Sequence, residues 1–261
     1  MGLQLVTPPA LEPIGLADAK THLRVDVEDD DALICALISA ARDYVERFCR
    51  RALLTQTWLL ALDHFPGSHD YNQGFWDYGV LGDAALGLGI PPVGYTYEFK
   101  SEVWFRAGAI ILPFSPLIGV NTFQYLDQNG ILQTMTQGTS SGQYQLDAYS
   151  EPGRVAPAPN SMWPLTQISV RAPVFNAVLI NYNVGYGAAT AASGDNPVNG
   201  VAGGSVTLPA TFPPSLIAAM KLLIGHWYEN REEVLTGTRA AAIQVPTAAK
   251  TLMWANRILM Q

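Results

Sequence analysis

The sequence predicts an α+β protein in which N- and C-terminal helices form a small helical bundle and an antiparallel β-domain is inserted between them. Three observations point there. Apolar residues recur at spacings of 1, 3 and 4 near both ends, the pattern of one helical face. Runs between them are β-branched, aromatic and partly alternating, the pattern of strands. The order is therefore helices, strands, helices, which places a β-unit inside a helical one. The boundaries read as 1–52 and 213–261 for the helical core, and 53–212 for the β-rich insert with long loops at 64–100 and 188–212.

The elements follow in order. Residues 16–24 (LADAKTHLR) read as a short helix, and the acidic loop 26–31 supplies a cap and complements the dipole of the next helix. That helix spans about 30–51, with Leu33, Ile34, Leu37, Ile38, Ala41, Tyr44, Val45 and Phe48 on one stripe and Arg47, Arg50 and Arg51 in its last turns. Strands are expected from Leu53 and at 102–112, 118–126, 131–136, 143–146 and 177–184. Asp127-Gln128-Asn129-Gly130 separates two of them, and Asn-Gly is a strong hairpin signal. Residues 185–210 are small, polar and Gly-rich and read as a flexible loop or arm. Pro213-Pro214 opens a helix carrying Leu216, Ile217, Met220, Leu223, Ile224, Trp227 and Tyr228. A last amphipathic stretch covers 247–259.

Composition narrows the class. Only 14% of the 261 residues are Asp, Glu, Lys or Arg, against roughly 25% in an ordinary soluble domain. The deficit concentrates in 52–213, which holds 10 acids and 4 bases. With 49% hydrophobic residues the chain is neither disordered nor a coiled coil. No apolar run approaches the roughly 18 residues of a membrane span, and no secretory leader is expected. The net charge of −7 argues against general binding to nucleic-acid phosphates. Two cysteines, Cys35 and Cys49, sit on one expected helix and build no disulfide framework.

The search for chemistry returns little. His64, His69 and Asp70 match no tight metal spacing, and His22 and His226 lie on helices beside apolar residues. Cys49 is flanked by Arg47, Arg50 and Arg51, which favour a thiolate, but no motif supplies it with a histidine partner. The chain lacks GxSxG, a P-loop, HExxH and CxxC. No enzyme, cofactor or metal is expected. The remaining anomaly is aromatic: nine rings lie within 71–105, including Phe75, Trp76, Tyr78, Tyr95 and Trp104. They read equally as a subunit or partner interface and as a local β core.

Two stretches carry a resemblance. One is LADAKTHLRVD at 16–26, continued by DDDALI at 29–34 and the helix to Trp58; the other is IAAMKLLIGHWYENRE at 217–232. Together they resemble the head–tail connector, or adaptor, family of tailed bacteriophages and related gene-transfer particles. Weaker likeness continues through 116–127, Glu151-Pro152-Gly153-Arg154 with Trp163-Pro164, and 178–187.

The resemblance implies a virion protein, made in the host cytoplasm and placed at the head–tail junction. It implies a homo-oligomer ring of twelve copies that binds the portal protein, offers a surface to a stopper or tail-terminator protein, and extends the channel through which DNA passes without sequence-specific binding. No membrane is involved. Residues 64–100 and 188–212 depart from compact members as insertions. Family members tend to dock on the portal through terminal segments, which here makes Leu252, Met253, Trp254, Arg257, Ile258 and Leu259 candidate anchors; the alternative is a helix closing the protein's own bundle. Rival readings are a stopper or tail-completion ring, and a β-rich carbohydrate- or receptor-binding module.

Overall fold

The computed structural model describes residues 2–66, 108–138, 142–159, 161–164, 174–192, 195, 197, 199–231 and 246–258. Among these, helices at both ends gather around one apolar core and antiparallel strands around a second. The α+β class expected from the sequence is the class observed.

The helical core is built by α1 (Leu16–Leu23), α2 (Asp31–Cys49), α3 (Pro214–Glu229) and α4 (Thr247–Trp254). In α2 the residues Ile34, Ile38, Ala41, Val45 and Cys49 are fully buried. Their steps of four and three keep them on one stripe. They meet Leu216, Ala219, Met220, Leu223 and Ile224 of α3 and Ala249 and Met253 of α4. Each fully buried Ile or Leu contributes about 1.5–3 kcal/mol relative to an exposed one. Helices α1 and α2 both end at an arginine in the left-handed region, Arg24 at φ 59° and Arg50 at φ 57°. That conformation is uncommon outside glycine, and it lets the chain turn sharply after each helix.

The main sheet runs β1 (Gly2–Thr7), β2 (Gln56–Leu62), β8 (Val178–Val184), β4 (Leu117–Leu126), β5 (Leu132–Thr134), each neighbour antiparallel. In β8 the buried residues Val178, Ile180, Tyr182 and Val184 alternate with Leu179, Asn181 and Asn183. This two-residue period buries one face. The opposite face carries amides: Asn121 Nδ2 donates to Asn181 and Asn183 Oδ1 at 2.8 and 2.9 Å, and Thr57 Oγ1 donates to Asn183 Oδ1 at 2.8 Å. Beneath the buried face lies a three-stranded sheet, β3 (Ile110–Ile111), β7 (Arg154–Pro157) and β6 (Tyr144–Asp147). Between them Phe65 stacks on Trp163 with centroids 4.9 Å apart, and Phe123 lies against both.

Several expectations are corrected. The strand read from Leu53 starts at Gln56, because Leu53 and Leu54 belong to the helical core. The strands β1 and β7 were not expected: every residue of β1 is exposed, so it shows no buried alternation, and β7 follows a Pro-Gly turn. The hairpin at 127–130 is present, with Asp127 Oδ1 accepting from the N–H groups of Asn129 and Ile131, both at 2.9 Å.

The largest difference concerns 185–210. This segment is no free arm in its described part: it contains β9 (Thr190–Ala191) paired with β10 (Val206–Thr207), and Val201 and Ala202 are buried. The carbonyls of Ala202 and Gly203 accept the N–H groups of Leu16 and Ala17 at 2.8 and 3.1 Å. Two donors left open at the start of α1 are thereby satisfied by backbone instead of a capping side chain. The approach needs glycine, since a Cβ on Gly15 would lie 1.8 Å from the Gly204 oxygen. Small residues here permit close backbone contact. In the described residues β1 joins the main sheet, while Val201 and Phe212 belong to the helical core.

Candidate interaction surfaces

The C-terminal segment is placed first by its backbone. Ile258 N–H donates to the Cys49 carbonyl at 3.0 Å, and the Arg51 Nε to the Asn256 carbonyl at 2.6 Å. Asn256 Nδ2 donates to Ser215 Oγ and to the Leu252 carbonyl, both at 2.9 Å. Of the expected anchors, Met253 and Ile258 are buried, Leu252 and Arg257 are half-buried, and Trp254 is 53% exposed. Leu259 lies outside the described residues, as do Phe75, Trp76, Tyr78, Tyr95 and Trp104, and His69 and Asp70 of the histidine cluster.

Another surface forms along α2 where it meets α3. Ala40, Asp43, Tyr44, Arg47, Phe48 and Trp227 line an open groove of about 480 Å³. Tyr44 meets Trp227 edge-on with centroids 6.0 Å apart, and Phe48 meets Trp254 edge-on at 5.8 Å. The Arg257 guanidinium carbon lies 4.6 Å from the Trp254 centroid and 5.1 Å from that of Phe48. Such cation–π stacking holds the charge in place without an acid. Arg257 Nε is buried without a hydrogen-bond partner among the described residues. The signal was present in the sequence as Tyr44 and Phe48, four apart on α2, but the helical stripe assigned both to the core.

The charged groups inside the protein are structural in character. Arg42 bridges two buried acids, Glu12 at 2.8 Å and Glu46 at 2.7 Å, and Glu46 Oε1 also accepts from the Leu53 N–H and Gln56 Nε2. Burial pushes the Glu46 carboxyl above its ordinary value, opposed by Arg42. Burial also pushes the Cys49 thiol up to about 11, outweighing Arg51 and Arg257. The arginines around Cys49 therefore do not make it a thiolate at neutral pH. Among the described residues no three His, Cys, Asp or Glu side chains are grouped to hold a metal ion.

Residues 13–73 match the family model of the phage gp6-like head-tail connector protein. Solved structures give a fold likeness over the whole chain. A chain in the neck of an empty gene transfer agent (GTA) particle, computed with C6 symmetry, shares 17% identity at TM-score 0.59. One in the virion of the native GTA particle shares 19% at 0.59. One in the neck of the native particle, computed with C12 symmetry, shares 19% at 0.57. Each match covers 100% of this chain and 97% of the other. The structural matches, all under 20% identical, show a shared fold, and the family match is confined to 13–73. The family match begins at the turn before α1, takes in α1, α2 and β2, and so contains most of the groove's lining. No curated protein matches the chain.

Proposed function

We propose that this chain is a structural protein of a phage-type virion neck. In this reading, copies form a ring at the head–tail junction that joins the portal to the tail or stopper and continues the DNA channel. The observation that carries it is the connector-family match on 13–73 together with a fold shared end to end with chains of GTA necks. The physical character agrees. A ring member needs two different, complementary faces, because only head-to-tail contacts close a ring. A charge-poor surface suits extensive burial against neighbours. Twelve copies at −7 each carry a formal −84, so acids facing a lumen would keep DNA sliding instead of bound.

The docking role of the C-terminal segment is proposed for what that segment leaves uncovered, above all Trp254, since Met253 and Ile258 serve the protein's own core. The test is the copy number of the chain in purified particles. Quantitative mass spectrometry is expected to find it at the same abundance as the portal subunit. A chain missing from particles, yet abundant and free in the cell, contradicts the reading.

A further inference from the structure

We infer that successive copies in the ring are joined by insertion of the acidic 26–29 loop of one protomer into the aromatic groove of the next. The inference rests on the ring reading and names its contact. The groove offers the rings of Tyr44, Phe48 and Trp227 together with Arg47 and Asp43, and the Arg257 guanidinium stacks on the lining ring of Phe48. Among the described residues Arg47 pairs with Asp43 alone, and both side chains are largely exposed; such pairs are weak. Arg257 stacks on two rings and has no acid partner among the described residues. An apolar floor with surplus cations calls for an apolar anchor flanked by carboxylates.

The chain carries such a segment just before α2. Asp26, Val27, Glu28 and Asp29 are all exposed, and Val27, at 58% exposure, stands out among acids. The loop's base is fixed: Asp31 pairs with Lys20 at 2.6 Å, and Asp30 accepts from the Tyr228 hydroxyl at 2.5 Å and from Arg231 at 2.9 Å. Its tip is thus presented in a set shape, which lowers the ordering cost of binding. Asp31 opens α2, while the groove runs along the second half of that helix from Ala40 to Phe48. At about 1.5 Å per residue Asp31 lies about 14 Å along the axis from Ala40 and about 24 Å from Arg47. Two unlike, complementary faces on one chain are what a closing head-to-tail contact requires.

The experiment is a charge swap in the full-length chain, read by sedimentation velocity. One variant carries Arg47→Glu and Arg257→Glu; the other carries Asp26→Lys, Glu28→Lys and Asp29→Lys. Each alone is expected to need about tenfold or more higher concentration than wild type for half-assembly. Mixed one to one, they are expected to assemble again, because each variant's loop then matches the other's groove. Arg47→Glu alone, at an exposed position, serves if the double groove variant fails to fold by circular dichroism. Wild type and both variants assembling alike overturns the contact and leaves the ring reading standing. A mixture that stays apart while wild type assembles also overturns the contact. Wild type remaining monomeric at millimolar concentration overturns the contact as a joint between free copies and leaves the neck reading to the copy-number measurement.

Discussion

Arg51 reaches Glu151 with both terminal nitrogens, at 2.7 and 2.5 Å, while its Nε donates to the Asn256 carbonyl. One side chain thereby ties the end of α2, the β-region and the C-terminal segment. The pair holds Glu151 below the usual carboxylate range. Its guanidinium side is largely buried, and a bidentate pair in that setting is stronger than an ordinary surface bridge.

A double-mutant cycle checks this junction. Arg51→Ala and Glu151→Ala, singly and together, are expected to show a coupling of about 1–2 kcal/mol in urea unfolding, above the roughly 0.2–1 kcal/mol of exposed pairs. Coupling near zero would show that the two cores are held together without it.

The buried acids beside α2 give a sharper effect. Arg42→Met leaves Glu12 and Glu46 buried without their shared cation. A loss of about 3–5 kcal/mol is expected, measured as a fall in the urea midpoint. Glu46→Gln in the same chain removes one of the stranded charges and is expected to restore part of it.

Backbone contact at the start of α1 makes Gly15→Ala costly. The added methyl would overlap the Gly204 oxygen, so the segment must withdraw and release the N–H groups of Leu16 and Ala17. A loss above about 2 kcal/mol is expected. Gly119→Ala, where no atom lies within 4 Å, is the control and is expected to change stability by under about 1 kcal/mol.

Acid stability has a predictable sign at Asp147. Hydrogen bonds from the Ser150 hydroxyl and Arg154, with the Tyr149 and Ser150 N–H groups, hold its carboxyl at about 2, against an ordinary value of 3.8. Between those values the unfolded chain binds more protons than the folded one. The contribution is therefore complete above pH 3.8 and lost as pH falls toward 2. Asp147→Asn is expected to flatten the stability curve in that window and leave its slope at pH 6–8 unchanged. Burial acts oppositely on Glu46, whose raised value favours the fold at lower pH.

What the sequence made legible follows from its periodicities. The stripe Ile34, Ile38, Ala41, Val45 and the alternation Val178, Ile180, Tyr182, Val184 are both buried as read. Asp127 with Asn129-Gly130 foretold the hairpin because a turn is local chemistry. The docking of 199–204 on α1 was illegible, because backbone-to-backbone contact needs only small residues and leaves the same composition as a flexible linker. The strand β1 was illegible because Gly2–Thr7 buries neither face. Met253 and Trp254 show the limit for surfaces: adjacent apolar residues, one in the core and one outside, are told apart only by how α4 packs. The groove was hidden for a related reason, since Tyr44 and Phe48 sit at the margin of the stripe that faces the core.

The central claim is a ring at a virion neck. The measurement that tests it most directly is cryo-electron microscopy of purified particles containing this chain, reconstructed at the head–tail junction. The account predicts a ring of twelve copies between portal and tail, around an open channel. Density for this chain outside the neck, or a neck built without it, would contradict the account.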